Sequence, residues 1–309
     1  LQSGRDGVSC HDADWIVYLS QGSTSGTGLN MAKKTGDWYN YSGAIHMHTT
    51  ESDGTKPLEE VVAIGQRCGL DFMLFTDHMT LSLRDAGKEG YYGKTLAIIG
   101  YEHNDPNDKN HYLIFDSPKV YDEKLSVKQY VSAAAADNAI GIMAHPDEIR
   151  DKLVEYPPYQ WTDWSVEGFT GIELWNQMSE WMEKLTRFNK LMMSFSPRKS
   201  MIGPTSRILN KWDELNMKRK VVGIAGVDAH AFPVKAGPFT VEIFPYKVHF
   251  KSLRTHIVLP HKLSDDFKEA KQQLFSAIRD ARVFFSNIRW GEADEFEFYG
   301  VQGATKVVS

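Results

Sequence analysis

Cysteine is scarce in this chain: Cys10 and Cys68 are the only two among 309 residues. Cys10 stands in a polar leader and Cys68 in an amphipathic segment. One disulfide is therefore the most the sequence allows, and a disulfide-built scaffold is excluded. No apolar run is long enough to cross a bilayer, and no secretory signal is legible. The expectation is a soluble protein; the cytoplasm is favoured only slightly and the compartment stays open, since an opening Leu1 in place of Met suggests a trimmed beginning. Basic charge is not in excess either. Lys and Arg number 35 against 40 Asp and Glu, a net −5, so a generally basic face for long nucleic acid is not expected. The Gly-rich stretch 21–28 lacks the Lys-Ser/Thr ending of a phosphate loop. A Gly-x-Ser-x-Gly nucleophile elbow is absent too.

What is present reads as an α/β chain. Hydrophobic residues make up 42% and charged residues 24%, ordinary for a domain with a substantial core. The length fits one α/β barrel. Residues 1–40 are polar and rich in Gly, Ser and Thr, an extension with one short strand at 15–19. From there strands and helices alternate. A strand through Ile45 and Met47 precedes a helix over 57–68, with Pro57 in its first turn and Gly69 after its end. Strand 71–78 follows, then strands 95–101, 111–115, 139–144, 171–175 and 221–227. Helices are expected over 126–138, 179–193 and 267–281, another closing at 212–216, and a last strand at 283–285. Strand–helix–strand alternation is the unit of a parallel sheet. The section 156–164 reads as an irregular loop. Segment 291–309 alternates like a strand, as the start of a further module would.

The strand ends carry the chemistry. His46 and His48 lie two apart on one strand, so their imidazoles are expected on one side, able to share a metal ion. Asp53 sits in the following turn, and Gly54 permits that turn. His78, Glu102, His111, His145, Asp228 and His230 each stand at a strand end or mouth. Any one of them alone reads as an incidental loop or strand residue. Six histidines and three carboxylates at successive strand ends are harder to attribute to chance. In a parallel barrel these ends converge on one face. The mixed N/O donors suit zinc, manganese or iron and disfavour calcium and magnesium. Nine donors exceed what one four-coordinate ion needs, which implies a multinuclear site. His11, His103, His249, His256 and His261 lie off the pattern and are expected at the surface or behind the site.

The order of these motifs resembles that of the PHP (polymerase and histidinol phosphatase) family. The matching segments are His46-x-His48-Thr49 with Ser52-Asp53-Gly54, Thr76-Asp77-His78, Gly100-x-Glu102, His111, Ala144-His145-Pro146 and Asp228-Ala229-His230, across 41–290. The resemblance implies a distorted (β/α)7 TIM-like barrel with a trinuclear centre of two to three divalent transition metal ions at the C-terminal strand ends. It would place one ion on His46, His48, Glu102 and Asp228. A second would lie on Glu102, His111 and His145, with Glu102 bridging, and a third on Asp53, His78 and His230.

Two ions bridged by a carboxylate can share a hydroxide at neutral pH. The expected reaction is hydrolysis of a phosphomonoester or phosphodiester by that hydroxide, with Glu102 and Asp228 catalytic through the ions. Asp77 either orients the His78 imidazole or serves the turn. Asn176, Arg150 and Arg207 are the expected substrate contacts, with Lys152, Arg198 and Lys199 as further phosphate binders. Substrates would be small phosphate esters, nucleotides or short oligonucleotides. Two alternatives stay open: a metal hydrolase of C–N or C–O bonds, and a non-catalytic metal-binding regulatory module.

Overall fold

The computed structural model describes residues 33–307, apart from 36–37, 153–154, 237–238, 294–295, 297–299 and 303–304. The strand expected at 15–19 and Cys10 lie outside the described residues. The strands are β1 (Lys33–Thr35), β2 (Trp38–Ile45), β3 (Phe72–Phe75), β4 (Gly90–Tyr92), β5 (Thr95–Ile99), β6 (Tyr101–His103), β7 (Tyr112–Phe115), β8 (Ile140–Met143), β9 (Gly171–Asn176), β10 (Val222–Gly226), β11 (Phe232–Ala236), β12 (Phe239–Ile243), β13 (Leu253–Leu259), β14 (Val283–Asn287), β15 (Gly300–Gln302) and β16 (Thr305–Val307). The α-helices are α1 (Leu58–Arg67), α2 (Ser82–Asp85), α3 (Val127–Ala136), α4 (Gln177–Lys184), α5 (Lys190–Phe195), α6 (Ser206–Asn216), α7 (Tyr246–Phe250) and α8 (Phe267–Arg279).

Two sheets hold the site. One runs β14-β13-β2-β3-β5-β4, with β1 beside β2, and the other runs β10-β9-β8-β7-β6. They meet at two seams. Gly100 alone separates β5 from β6, and its N–H donates to the carbonyl of Phe75. At the other seam Met47 and Ala229 form a single parallel bridge beyond the ends of β2 and β10. Single bridges replace a continuous ladder there, so the architecture shown is mixed α/β.

Nor is pairing wholly parallel, as the alternation had suggested. β2-β3-β5 and β8-β9-β10 are parallel, but β7 runs antiparallel to both β6 and β8. β13, unforeseen, pairs antiparallel with both β2 and β14. Its Arg254 and His256 are buried because each has a dedicated partner. Arg254 Nη2 donates to the Cys68 carbonyl at 2.6 Å, and His256 bonds Asn40 at 3.0 Å. Buried polar residues satisfied this way erase the apolar alternation that announces a strand.

The helix expected over 179–193 is two helices, α4 and α5. Between them Asn189 Oδ1 accepts the N–H of Thr186, and its Nδ2 donates to the Lys184 carbonyl. Such side-chain bonds compete with the helical ladder. The other expected helices form, α3 behind a capping box of Ser126 and Gln129. Segment 291–309 is described in part, with β15 and β16 pairing antiparallel. Apolar side chains between strands and helices form the core. Ile45, Leu74, Ile98, Ile142 and Ile224 pack on one face, and Met73, Tyr101, Tyr112 and Ile172 on the other.

Candidate metal centre

β2 ends at Ile45, one residue short of the first expected ligand. His46 departs from strand geometry with φ 70°, while Met47 bridges to Ala229. The alternation argument for the pair is therefore broken, yet the rings still converge, with centroids 5.3 Å apart. His145 and Asp228 share the unusual backbone, at φ 29° and 51°. Left-handed non-glycine residues cost energy and persist only where surroundings fix them, a concentration typical of functional sites. Gly54 closes the turn after His48 because an added Cβ would sit 2.4 Å from the His48 carbonyl oxygen.

Glu102 is the hub. Its Oε1 lies 2.7 Å from His111 Nδ1 and 3.3 Å from His145 Nε2. Its Oε2 lies 2.9 Å from His46 Nε2 and 3.2 Å from His48 Nε2. Asp228 Oδ1 is 3.4 Å from both His46 Nε2 and His230 Nδ1. Asp53 Oδ2 reaches His230 Nε2 at 3.2 Å and His78 Nε2 at 3.8 Å. Ligand atoms within 4.8 Å of one another form four sets: His48, Asp53, His78 and His230; His46, His48 and Glu102; His46, His145 and Asp228; and Glu102, His111 and His145. All nine sequence-predicted donors are thus in one place. The first set adds His48 to the trio that the resemblance implied.

The donor set fits metal ions on an observation independent of motif. His48 is wholly buried, with Glu102 Oε2 3.2 Å from its Nε2 and Asp53 Oδ1 3.5 Å from its Nδ1, contacts that are close but not aligned as hydrogen bonds, and His145 Nδ1 has no partner. Core His103 and His249 also lack hydrogen-bond partners, so what sets this cluster apart is the carboxylate oxygens of Glu102, Asp228 and Asp53 within 3.6 Å of the His48 ring, a mixed donor set that a cation could share. Electrostatics agree. Burial opposes charge on His48, but the nearby carboxylates of Asp228 and Glu102 raise its pKa to about 9. Burial likewise opposes charge on His111, and Glu102 and Asp108 raise it to about 9. For Glu102 burial favours the neutral acid, and the histidines around it still hold its pKa well below the carboxylate range. Asp228 behaves the same way, with His46 the leading opposing charge. The ring of carboxylates is thus built to hold positive charge.

Sequence reasoning missed Glu173. Buried on β9, it accepts His46 Nδ1 at 2.7 Å, the His145 backbone N–H at 2.7 Å and Asn176 Nδ2 at 2.9 Å. It thereby fixes which His46 nitrogen faces the cluster. Room for it comes from Gly226 on β10, where a Cβ would lie 1.7 Å from Glu173 Oε1. The available signal was a lone acid inside the apolar strand 171–175. Asn104 and Asp108 were also unforeseen; they bond His78 Nδ1 at 2.9 Å and His111 Nε2 at 3.2 Å.

The expected accessory residues fall in different places. Asp77 spends both carboxylate oxygens on Thr49 and Ser52, tying down the turn after His48. Asn176 bonds Glu173 and caps α4 through the Ser179 N–H. Arg150 lines the cavity over the cluster, its guanidinium 5.0 Å from the Tyr159 ring centroid and its Nη2 donating to the buried Glu148 Oε1, so part of its charge is already paired. Arg207 is half exposed, pairs with Asp147 and is not among the residues lining that cavity. Three histidines expected at the surface or behind the site are core residues. His103 leans on Tyr130, His249 stacks on Phe244, and His256 bonds Asn40 and Ser286. No helix of the described residues is long and apolar enough to cross a membrane.

No protein-family model and no curated protein matches the chain. Among solved structures, it is similar to a two-domain protein from Bacteroides vulgatus ATCC 8482 that contains a predicted PHP-like metal-dependent phosphoesterase. The TM-score is 0.50 at 13% identity, over 85% of this chain and 69% of that one. It also aligns with PsfC from Pseudomonas syringae PB-5123, TM-score 0.49 at 11% identity, over 83% and 93% of the two chains. A candidate metal-dependent phosphoesterase from Bifidobacterium adolescentis ATCC 15703 aligns with TM-score 0.38 at 13% identity, over 65% and 92%. The first of these likenesses extends to the fold.

Proposed function

We propose that this protein is a metal-dependent phosphoesterase of the PHP kind. The two seamed sheets are then a distorted seven-stranded barrel, built from β2, β3, β5 continued by β6, β7, β8, β9 and β10. The observation that carries the reading is the hub: one buried carboxylate, Glu102, lies within 3.3 Å of four histidines.

On this reading His46, His48, Glu102 and Asp228 hold one ion. Glu102, His111 and His145 hold a second, and Asp53, His78 and His230 a third. Bound ions would supply a water acidic enough to lose a proton near neutral pH and would offset charge on phosphoryl oxygens. The chain's residues supply the rest. Glu173 holds the His46 ring in register, and Asp77 holds the turn that carries Asp53. Arg150 and Tyr159 form a cationic and aromatic side wall where a phosphate oxygen can be held. Asp108 and Asn104 fix the outer nitrogens of His111 and His78. Tyr246, whose hydroxyl donates to the His48 carbonyl at 2.8 Å, pins the backbone under the cluster.

The test is metal content with turnover. Protein loaded with manganese, zinc or iron should hydrolyse a phosphomonoester or a phosphodiester in parallel assays, and a chelator should abolish the activity. Turnover of an amide or a carboxylic ester with neither phosphate ester hydrolysed would replace this reading with a C–N or C–O hydrolase.

A further inference from the structure

The cavity above the cluster has a volume of about 760 Å³, and its lining includes two chemically different groups of residues. Arg150, Tyr156, Tyr159 and Lys190 form one group, in which the Tyr159 ring lies 5.0 Å from that of His111, tilted by 24°. A second group of lining residues is apolar. Met178, Trp181 and Met182 come from α4, Leu185 follows it, and Phe232 and Val234 come from β11. The Phe232 ring lies parallel to His230, centroids 5.6 Å apart and planes within 9°. The apolar wall therefore begins against a metal-ligand candidate rather than at a distance. Phe232 and Val234 are 41% and 43% exposed although they line a cleft, so apolar surface there is left for water to cover.

A phosphate ester has two parts, and this cavity offers each a matching group of residues. Sugar hydroxyls or further phosphates laid along Met178 and Trp181 would lose water without gaining partners. An apolar group in the same place would release water from both surfaces. Resting on the phosphoesterase reading, we propose that the substrate is an amphiphilic phosphate ester. Its phosphate sits at the cluster beside Arg150, and its bulky alkyl or aryl arm packs along Met178, Trp181, Met182, Leu185, Phe232 and Val234. Hydrolysis adds one water across the P–O bond, leaving the phosphate at the cluster and the arm as the neutral alcohol. Phe232 and Val234 are then the specificity-determining residues, because they stand where the arm leaves the phosphate.

Binding of non-hydrolysable n-alkylphosphonates tests this without depending on turnover. Calorimetry on the metal-loaded full chain would compare methyl-, butyl-, hexyl- and octylphosphonate. The expected result is a Kd falling about fourfold per added methylene until the wall is filled. Val234→Asp and Phe232→Ser should flatten the series. A Kd independent of chain length, with methylphosphonate and inorganic phosphate still bound, overturns the amphiphile and leaves the phosphoesterase reading standing. Failure of the metal-loaded protein to bind any phosphonate or phosphate removes that reading and this inference together.

Discussion

Two groups of buried histidines in this molecule have opposite character. His48 and His111, at the mouth, are raised to about 9. His249, packed on Phe244, is lowered to about 3, and His103, against Tyr130, to about 4. Burial acts against charge in all four. The difference at His48 and His111 is the close approach of Glu102, Asp228 and Asp108, whose attraction outweighs desolvation there. His78 at the same mouth is lowered, because burial and the neighbouring His48 and His111 outweigh Glu102 and Asp53. Carboxylates mirror this. Glu102 and Asp228, ringed by histidines, are lowered, while half-buried Glu183, near Glu148 and Asp147, is raised by burial to about 6. Buried histidine alone therefore marks core. At the cluster, His48 and His111 are instead held charged by carboxylates in direct contact.

Removing the hub should collapse that contrast. Glu102→Gln takes a ligand from two of the proposed ions, and metal content and phosphoesterase kcat/KM should both fall by more than about 10²-fold, since outer partners alone are worth 10- to 100-fold. Retained metal and rate would break the comparison. Next comes the support behind the ligands. Gly226→Ala pushes a methyl into Glu173 Oε1, so metal affinity should drop roughly 10- to 100-fold. Glu173→Gln, which keeps the volume, should show the same loss with a smaller change in melting temperature. An unchanged affinity in both would make Glu173 a packing residue.

On the core side, His249 has a folded-state pKa below its unfolded value of 6.5. Its contribution is present above pH 6.5 and is lost as pH falls toward 3, because the unfolded chain takes up the proton first. His249→Phe should flatten stability against pH across that window, read by urea unfolding, while metal content stays at the wild-type level. The smallest effect belongs to Glu183. Its raised pKa means the folded state keeps a proton longer than the unfolded one, so stability falls as pH rises from about 4.5 through 6. Glu183→Gln should remove that decline, a gain of a few tenths of a kcal/mol at pH 7 after allowance for solvent screening.

The nine residues that the structure gathers in the Glu102 cluster were legible in the sequence, because strand-end His and carboxylate residues stand out against apolar strands. The reason first given for His46 and His48 was not the one the backbone uses, since β2 stops before His46. Glu173 and Gly226 stayed hidden because their relation is purely tertiary: an acid on β9 finds space only where its neighbour β10 lacks a side chain. β13 was missed because Arg254 and His256 interrupt its apolar pattern and are satisfied by residues far away in sequence. The helices announced by caps and apolar stripes came through. The 179–193 helix failed where Thr186 and Asn189 bond each other instead of continuing the ladder.

The central claim is that Glu102 and its histidines hold metal, and the most direct measurement is calorimetric titration of metal-free protein with Zn²⁺ or Mn²⁺ at pH 7 in buffers of different ionisation enthalpy. The account predicts saturation at two to three ions per chain with release of protons, since His48 and His111 must give theirs up to bind metal, and loss of most of that binding in Glu102→Gln. One ion or none, or full binding without proton release in the Glu102→Gln protein, would contradict it.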